Sequence, residues 1–263
     1  MKRYLSFLAL TLAVLLALNF TACKSDVTDD ETDITDKKDI GNEVADPSGN
    51  GSFLYDITDV NTLRIIGYKG EITLHDIVIP AEIGGIEVTE IGQKAFYFNN
   101  TIKSVTIPAT VTLVDEFAFT GCSYLESVTI AEGVESIGSS AFLDCVALKE
   151  ITLPQSLKEL GDFAFKGCSS LTKANIPSGI TRIGEALFWE CSSLKSVSGL
   201  EGVIEIDSFA FNDCKKLESL TIPAVTEKIH EYAFNGCNEL TLKVTKGSYA
   251  EDFASLYGYK YTN

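Results

Sequence analysis

The sequence predicts an α/β solenoid of stacked 23-residue units, each with a short strand and a short helical turn. Three columns of residues recur at the same 23-residue interval, which chance does not explain. A unit this short cannot bury its own apolar face, so it must stack on copies of itself. The columns are the cysteines Cys122, Cys145, Cys168, Cys191, Cys214 and Cys237; the phenylalanines Phe119, Phe142, Phe165, Phe188, Phe211 and Phe234; and Ile102, Leu125, Leu148, Leu171, Leu194, Leu217 and Leu240.

The strand of each unit is predicted by alternation. Val128 and Ile130 alternate with Ser127 and Thr129, as in a strand with one buried face. In most sister units a proline follows, which ends the strand because it cannot donate to a ladder. A second strand-like segment follows in each unit. It ends at an apolar residue, which is Ile91, Val114, Ile137, Leu160, Ile183, Ile206 or Ile229.

A corner is predicted next, because the following column holds residues that tolerate a positive φ. It contains Gly92, Asp115, Gly138, Gly161, Gly184, Asp207 and His230. The Ala-Phe pair and the cysteine three residues later predict a short helical turn with its apolar side inward. The cysteines are predicted to be buried free thiols that act as small apolar groups. Disulfides between neighbouring units are the alternative, since stacked strands lie about 4.8 Å apart.

Several short motifs at this spacing resemble the BspA-like leucine-rich-repeat family of bacterial surface proteins. The motifs are Val105-Thr106-Ile107-Pro108, Ile137-Gly138, Ala141-Phe142 and Gly121-Cys122. The resemblance covers roughly residues 53–263 and implies a right-handed solenoid with a parallel sheet on one side and turns on the other. It implies about seven repeats over 78–241, an N-terminal β cap over 53–77 and a C-terminal cap over 242–263. Known members of the family act in adhesion to host matrix proteins and to other bacteria.

The N-terminal residues predict export. Lys2 and Arg3 precede an apolar run over 5–18, so we interpret 1–22 as a signal peptide. The segment Phe20-Thr21-Ala22-Cys23 resembles a bacterial lipobox, which implies lipid attachment at Cys23, although the family prefers leucine where Phe20 stands. Cleavage by a general signal peptidase is the alternative. The acidic, aromatic-free residues 23–52 predict a disordered tether between the lipid and the folded part.

Charge and motif content argue against several classes of function. The formal net charge of -16 disfavours nucleic acid and anionic membranes as partners, so the lipid is the only predicted membrane contact. With two histidines, and no nucleophile elbow, zinc helix or phosphate loop, the sequence predicts no enzyme, catalytic residue, metal or cofactor. An enzyme would need a converging polar constellation that the sequence does not display.

Two surfaces are candidates for binding. One is the polar strip on the outward side of the strands, for which a merely solvated face is an equal alternative. The other is the column after the phenylalanines, in which Tyr97, Leu143 and above all Trp189 are large and apolar; packing is the alternative for Trp189. The strip contains Thr106, Thr129, Thr152, Asn175, Ser198 and Thr221.

We therefore predict a lipoprotein at the bacterial cell surface, anchored in the outer membrane, whose solenoid mediates adhesion or protein–protein interaction. The partner is predicted to be an extracellular protein of a host or of another bacterium. A glycan-binding lipoprotein of a nutrient-uptake system is the alternative, for which a single tryptophan is weak support.

Overall fold

The structure, a computed structural model, describes residues 42–46, 51–70 and 75–263. These residues belong to one compact unit, Gly41–Asn263. The predicted signal peptide, the lipobox and Cys23 lie outside the described residues. In the described part of the chain, no helix is long and apolar enough to cross a bilayer.

Each 23-residue unit contributes one strand to each of two sides and then a turn, so the unit forms one coil of a solenoid. On the first side lie β4 (His75–Val78), β7 (Ile102–Ile107), β9 (Ser127–Ile130), β11 (Glu150–Ile151), β13 (Lys173–Asn175), β15 (Ser196–Ser198), β17 (Ser219–Thr221) and β19 (Thr241–Lys243). On the second side lie β6 (Ile86–Ile91), β8 (Leu113–Val114), β10 (Ser136–Ile137), β12 (Glu159–Leu160), β14 (Arg182–Ile183), β16 (Glu205–Ile206) and β18 (Lys228–Ile229). The second strand-like segment of each unit therefore builds a second side, on which β6, β8, β10 and β12 share one sheet and β14, β16 and β18 form another.

Parallel ladders hold the predicted 23-residue register. Ser104 pairs with Ser127 and Glu150 pairs with Lys173, each one unit apart. Two junctions have no ladder: β12 and β14 on the second side, and β15 and β17 on the first side. The coils are numbered 1 to 7 below by their inner phenylalanines, Phe96, Phe119, Phe142, Phe165, Phe188, Phe211 and Phe234.

The inner phenylalanines form a continuous stack through all seven coils. Each is at most 1% exposed, and neighbouring rings are nearly parallel with centroids 4.7–5.7 Å apart. The six cysteines lie beside this stack, buried and free. Each thiol donates to the carbonyl of the preceding coil's phenylalanine, as Cys122 Sγ does to Phe96 O at 3.0 Å. The cysteine column therefore supplies both apolar volume and a hydrogen-bond donor to every coil junction.

The predicted helical turns are not confirmed. In the turns, backbone hydrogen bonds alternate between the same coil and the next one. The Tyr97 N–H donates to Lys94 O at 3.1 Å, and the Phe96 N–H donates to Ala118 O at 2.7 Å. The turn side is thus bonded from coil to coil, much as the strands are.

The predicted corner also has a different cause from the one expected. The glycines of that column do not have positive φ. A Cβ on Gly138 would lie 2.6 Å from the backbone nitrogen of Glu116, so close approach of neighbouring coils requires the glycine. Positive φ occurs two residues later, for example at Ser140.

An antiparallel sheet starts the described unit. It contains β1 (Asn42–Ala45), β2 (Gly51–Ile57) and β3 (Leu63–Gly70), and β3 then pairs in parallel with β6. A two-stranded hairpin between β5 (Glu82–Ile83) and β6 follows. Tyr68 joins this sheet to the stack, with its ring centroid 6.0 Å from that of Phe96.

The predicted tether, 23–52, extended too far along the chain. It includes β1 and the first two residues of β2, which are ordered because β1 pairs with β2 and Val44 packs against the core. The Tyr68 hydroxyl also donates to Asp46 at 2.7 Å. Acidic composition alone did not reveal this strand. The solenoid ladder likewise begins at His75, slightly before the predicted boundary at 78.

A helix and a final strand end the chain. Helix α1 (Tyr249–Tyr257) is capped by Ser248, whose side chain accepts from Glu251 N–H, and by Gly258 at φ 75°. Strand β20 (Lys260–Thr262) pairs in parallel with β19. The rings of Phe253 and Tyr259 meet that of Phe234 edge-on and cover the last phenylalanine of the stack.

Candidate interaction surface on the turns

Two columns of side chains form an outer ridge on the turn side. One is the corner column, two residues after the glycine position; the other is the post-phenylalanine column of the sequence analysis. In two coils the columns are complementary in size, since Phe117 accompanies Thr120 whereas Ala186 accompanies Trp189. The first column contains Lys94, Phe117, Ser140, Phe163, Ala186, Phe209 and Tyr232; the second contains Tyr97, Thr120, Leu143, Lys166, Trp189, Asn212 and Asn235.

The ridge phenylalanines stand on left-handed backbone. Phe117, Phe163 and Phe209 have φ of 58°, 61° and 57°, a region that bulky residues rarely adopt. Hydrogen bonds to the next coil hold this conformation, as Phe117 N–H donates to Ser139 O at 3.1 Å. The same left-handed φ occurs at Lys94, Ser140 and Ala186 of this column, so it belongs to the turn of the repeat. In coils 2, 4 and 6 this turn carries a half-exposed aromatic ring outside the core.

Trp189 is the first residue of an aromatic row in coils 5 to 7. Its ring stacks on Phe209 with centroids 5.5 Å apart, and Phe209 stacks on Tyr232 at 5.7 Å. From the preceding coil, the Lys166 Nζ lies 3.9 Å from the Trp189 ring centroid, a cation–π contact. Because Lys166 and Phe209 belong to coils on opposite sides of Trp189, both of its ring faces are covered.

The row becomes more exposed towards its C-terminal end. Trp189 and Phe209 are half-buried, whereas Tyr232 is 48% exposed. His230 lies beside it, with a tilted ring 5.5 Å away and an Nδ1 that accepts from the Tyr232 N–H. Within the described residues, Phe209 and His230 are the rings that contact Tyr232, and no lysine or arginine lies over its ring.

Four carboxylates border the row. Glu185 and Glu231 directly precede ridge residues of the first column, and Glu190 and Asp213 directly follow residues of the second. Glu190 and Glu231 are exposed, and the other two are half-buried. None of the four takes part in an ion pair among the described residues.

A smaller aromatic cluster lies at the N-terminal end of the turn side. Tyr97 and Phe98 are 43% and 56% exposed and meet edge to face at 4.5 Å. Lys94 lies over the rings of Tyr97 and Phe117. The remaining predicted member, Leu143, is half-buried between the two clusters. The structure therefore separates Tyr97 from Trp189 by four coils.

The predicted polar strip runs along the first sheet but is uneven. Thr129, Thr152, Ser198 and Thr221 are exposed, and Thr106 is half-buried. The Asn175 amide is engaged in the fold: its Oδ1 accepts from Leu153 N–H at 2.9 Å and its Nδ2 donates to Leu153 O at 3.0 Å. That side chain replaces ladder bonds beyond the two-residue strand β11.

A shallow cleft of about 230 Å³ opens where the first sheet is interrupted between β15 and β17. It is lined by residues 197–201, Thr221 and Pro223. Gly199 and Leu200 stand there in place of the Ile-Pro pair of other units, and Gly199 has φ 81°. The cleft therefore results from one unit's departure from the repeat.

Side chains bridge the other sheet interruption. Arg182 in β14 pairs with Asp162 at 2.9 Å and with Asp207 at 2.5 Å, which links coils 4, 5 and 6. Hydrogen bonds from Arg182 and from the Ser208 N–H keep the pKa of Asp207 low despite its partial burial. This ion network lies where no ladder joins β12 to β14.

The buried thiols are held in their neutral form. Burial raises the pKa of Cys122 to about 12 and also raises the pKa values of Cys145, Cys168, Cys191 and Cys214 above the usual range. A neutral thiol is a poor nucleophile and metal ligand. In the described part of the chain, no group of three or more His, Cys, Asp or Glu side chains is placed to hold a metal.

The first ridge column was not predicted from the sequence. Phe117, Phe163 and Phe209 recur every 46 residues, or two units, so a search at the 23-residue period does not align them. A search at twice the repeat length would have identified them. Trp189 was singled out from the sequence, but its two covered faces depend on side chains from neighbouring coils.

Comparison with known proteins identifies the family. The model of the BspA-type leucine-rich-repeat region matches in six copies, over residues 66–158, 89–198 and 114–241. None of the curated proteins compared with the chain matches it.

Several solved structures are similar. A leucine-rich cell surface protein from Faecalibacterium prausnitzii is 33% identical with a TM-score of 0.66, over 77% of this chain and 54% of that one. The T. pallidum leucine-rich-repeat protein is 27% identical (TM-score 0.51), over 63% of this chain and 87% of that one. A leucine-rich-repeat protein from Eubacterium ventriosum is 26% identical (TM-score 0.52), over 63% and 53% of the two chains.

The chain thus spans about half the length of the F. prausnitzii protein. The family model covers more than half of the sequence, and its repeats coincide with the coils of the solenoid. The chain belongs to the BspA-type leucine-rich-repeat family.

Proposed function

We propose that this chain is a lipid-anchored protein of the bacterial cell surface, in the outer membrane, that binds another extracellular protein in adhesion. The observation that carries the proposal is the outer ridge formed by Trp189, Phe209 and Tyr232. Half-exposed aromatic residues on a rigid scaffold are typical anchors of protein interfaces. The description of a similar protein as a leucine-rich cell surface protein supports the location.

The packing of the ridge favours a protein partner over a glycan. A sugar ring binds on an open aromatic face, but both faces of Trp189 are covered, by Lys166 and by Phe209. The rings of Trp189 and Phe209 are half-buried and leave only part of their edges to solvent, and the indole Nε1 of Trp189 is itself buried. A row of apolar edges suits the side chains of another protein, which can pack along it.

Binding can be tested with the full-length chain. We expect capture of proteins from an extracellular-matrix extract, or attachment of whole bacterial cells, at micromolar concentration. Replacing two ridge residues, Trp189→Ser with Tyr232→Ser, should remove most of the binding. Replacing two residues of the polar strip, Thr129→Ala with Thr152→Ala, is the matched control and should leave it intact.

Three results would contradict the proposal for the ridge. One is that neither source yields a partner. Another is that the polar-strip variant loses binding whereas the ridge variant does not. The third is that a glycan array binds the chain while proteins do not, which would favour the nutrient-uptake alternative.

The anchor is a separate part of the proposal and rests on the lipobox at Cys23. Mass spectrometry of the mature N-terminus should find a diacylglyceryl cysteine at position 23. Cys23→Ser should release the chain from the membrane fraction. A mature chain that begins elsewhere, without lipid, would remove the anchor from the proposal and leave the ridge unaffected.

A further inference from the structure

From the ridge and its border we infer the chemistry of the partner: a protein segment that presents arginine or lysine beside apolar side chains. This inference rests on the proposed function and concerns the same surface. The ridge supplies the apolar contact, and the carboxylates Glu185, Glu190, Asp213 and Glu231 supply the charge complementarity.

The ion pairs that join neighbouring coils lie on the sheet sides, and among the described residues none of them involves a border carboxylate. Some sheet-side carboxylates in this part of the chain, such as Glu218 and Glu227, are unpaired as well, but they do not adjoin the aromatic row. On the sheet sides, acidic residues of one coil pair with basic residues of a neighbouring coil, as Glu126 does with Lys149 at 2.5 Å and Glu135 with Lys158 at 2.8 Å. No described lysine or arginine pairs with the four border carboxylates. Complementary charge from a partner would therefore meet carboxylates that no intramolecular ion pair neutralises.

The ridge already accommodates one cation. Lys166 places its ammonium group on the Trp189 face at the N-terminal end of the aromatic row. The other end of the row is Tyr232, which is 48% exposed and follows Glu231 directly. A guanidinium or ammonium group from a partner can contact Tyr232 and Glu231 together. It would form a cation–π contact at this end of the row, as Lys166 does with Trp189 at the other end.

The overall charge acts in the same direction. A chain with a formal net charge of -16 attracts basic surfaces over a distance of about 8 Å, the screening length at physiological salt. Long-range attraction alone would not select the ridge. The selection comes from apolar ring edges and unpaired carboxylates lying next to each other.

The test uses the full-length chain and two synthetic peptides of equal length, one of arginine, leucine and serine and one of glutamate, leucine and serine. Titration calorimetry measures affinity, and the emission of Trp189, the only tryptophan, reports contact with the ridge. We expect only the arginine peptide to bind, and to bind more weakly as salt is raised. Glu190→Gln with Glu231→Gln should lower its affinity by about tenfold.

The matched control neutralises two exposed acidic residues on the sheet sides, Glu218→Gln with Glu227→Gln, and should change the affinity little. The inference is overturned if the arginine peptide does not bind, if both peptides bind equally, or if the control loses as much affinity as the ridge variant. It also falls if Tyr232→Ser abolishes capture of an extracellular protein that Glu190→Gln with Glu231→Gln leaves unchanged. In that last case the proposed function stands and only the chemistry of the partner is wrong.

Discussion

Two rows of aromatic side chains run along the turn side of the solenoid, one inside the core and one outside it. The inner row has a phenylalanine in every coil, each at most 1% exposed and stacked on its neighbours. The outer row has phenylalanine in alternate coils, at Phe117, Phe163 and Phe209, and other aromatic residues such as Trp189 and Tyr232 beside them; all of these are half-buried or exposed. Aromatic side chains therefore serve packing in the inner row and form part of the surface in the outer one.

The backbone shows the same division. The inner phenylalanines have ordinary φ values, whereas Phe117, Phe163 and Phe209 in the outer row are left-handed. Packing of the inner row stabilises the fold on every coil. The outer row uses a conformation that costs about 1–2 kcal/mol at a residue with a side chain. Because Lys94, Ser140 and Ala186 share this conformation, the cost belongs to the turn of the repeat, and what sets the outer row apart is the exposure of its rings.

High pH should destabilise the fold through the buried thiols beside the inner row, and this is the largest effect that we expect. The folded chain keeps five thiols neutral, since burial raises the pKa of Cys122 to about 12 and raises the pKa values of Cys145, Cys168, Cys191 and Cys214 as well. Thiols of the unfolded chain titrate near about 8.5. The contribution of the buried thiols to the free energy of unfolding is thus complete below that pH and is lost as the pH rises above it. From pH 8 to pH 10 we expect the free energy of unfolding to fall by about 2 kcal/mol for each independent thiol.

Urea denaturation in reducing buffer measures this loss, and Cys145→Ala is the control because it removes one buried thiol. The variant should lose less stability between the two pH values than the parent chain, by the share of one thiol. Lysines and tyrosines titrate alike in both proteins and cancel from the difference. Equal losses in the two proteins would show that the thiols are not held neutral by burial.

Truncating a ring in each row compares their roles directly. Phe165→Ala in the inner row removes a fully buried ring between two stacked neighbours and should cost about 3–5 kcal/mol of stability. Phe163→Gly in the outer row removes a half-buried ring of the same coil. Glycine also relieves the φ of 61° there, so the stability should stay within about 1 kcal/mol of the parent chain.

Chemical denaturation of the two variants provides the measurement. A large loss for Phe163→Gly would place the outer row in the core and remove the distinction between the rows. A small loss for Phe165→Ala would mean that the inner stack relaxes around the missing ring.

The size complementarity of the two outer columns can be tested by exchange. Ala186 is fully buried beside Trp189, so Ala186→Phe should overpack the ridge and cost about 1–3 kcal/mol. Adding Trp189→Thr restores the Phe–Thr combination of Phe117 and Thr120. The double variant should recover at least about 1 kcal/mol relative to the sum of the two single variants. Additive losses in a double-mutant cycle would contradict the complementarity.

The sequence predicted what depends on a single period. The strand at Ser127–Ile130, its 23-residue register and the second strand at Ser136–Ile137 follow from apolar columns that every unit repeats. The coil-to-coil hydrogen bonds of the turns were not predicted from the sequence. The Phe96 N–H, for example, donates to a carbonyl of the next coil and not to one in its own turn. The handedness implied by the family resemblance stays a prediction.

Part of the candidate surface was also visible in the sequence. Trp189 was identified as an unusual large residue, but Phe209 and Tyr232 were not, because the column that contains them alternates between aromatic and small residues. The contact of Lys166 with the Trp189 ring was not predicted either, because it depends on the conformation of a long side chain from the preceding coil. Strand β1 was missed since its neighbours are acidic and its pairing partner begins six residues later.

The contact between Lys166 and Trp189 gives the smallest expected effect, and it decides between protein and glycan at this ring. Lys166→Ser removes the ammonium group that lies 3.9 Å from the ring centroid, and exposed cation–π pairs contribute about 0.5–1 kcal/mol. Stability should fall by no more than that, while acrylamide should quench Trp189 emission more effectively because one ring face is uncovered. Lys195→Ser, on an exposed sheet-side lysine, is the control and should change neither quantity. If quenching is the same in all three proteins, the Trp189 face is already open in solution, and the argument against a stacked sugar at that ring no longer holds.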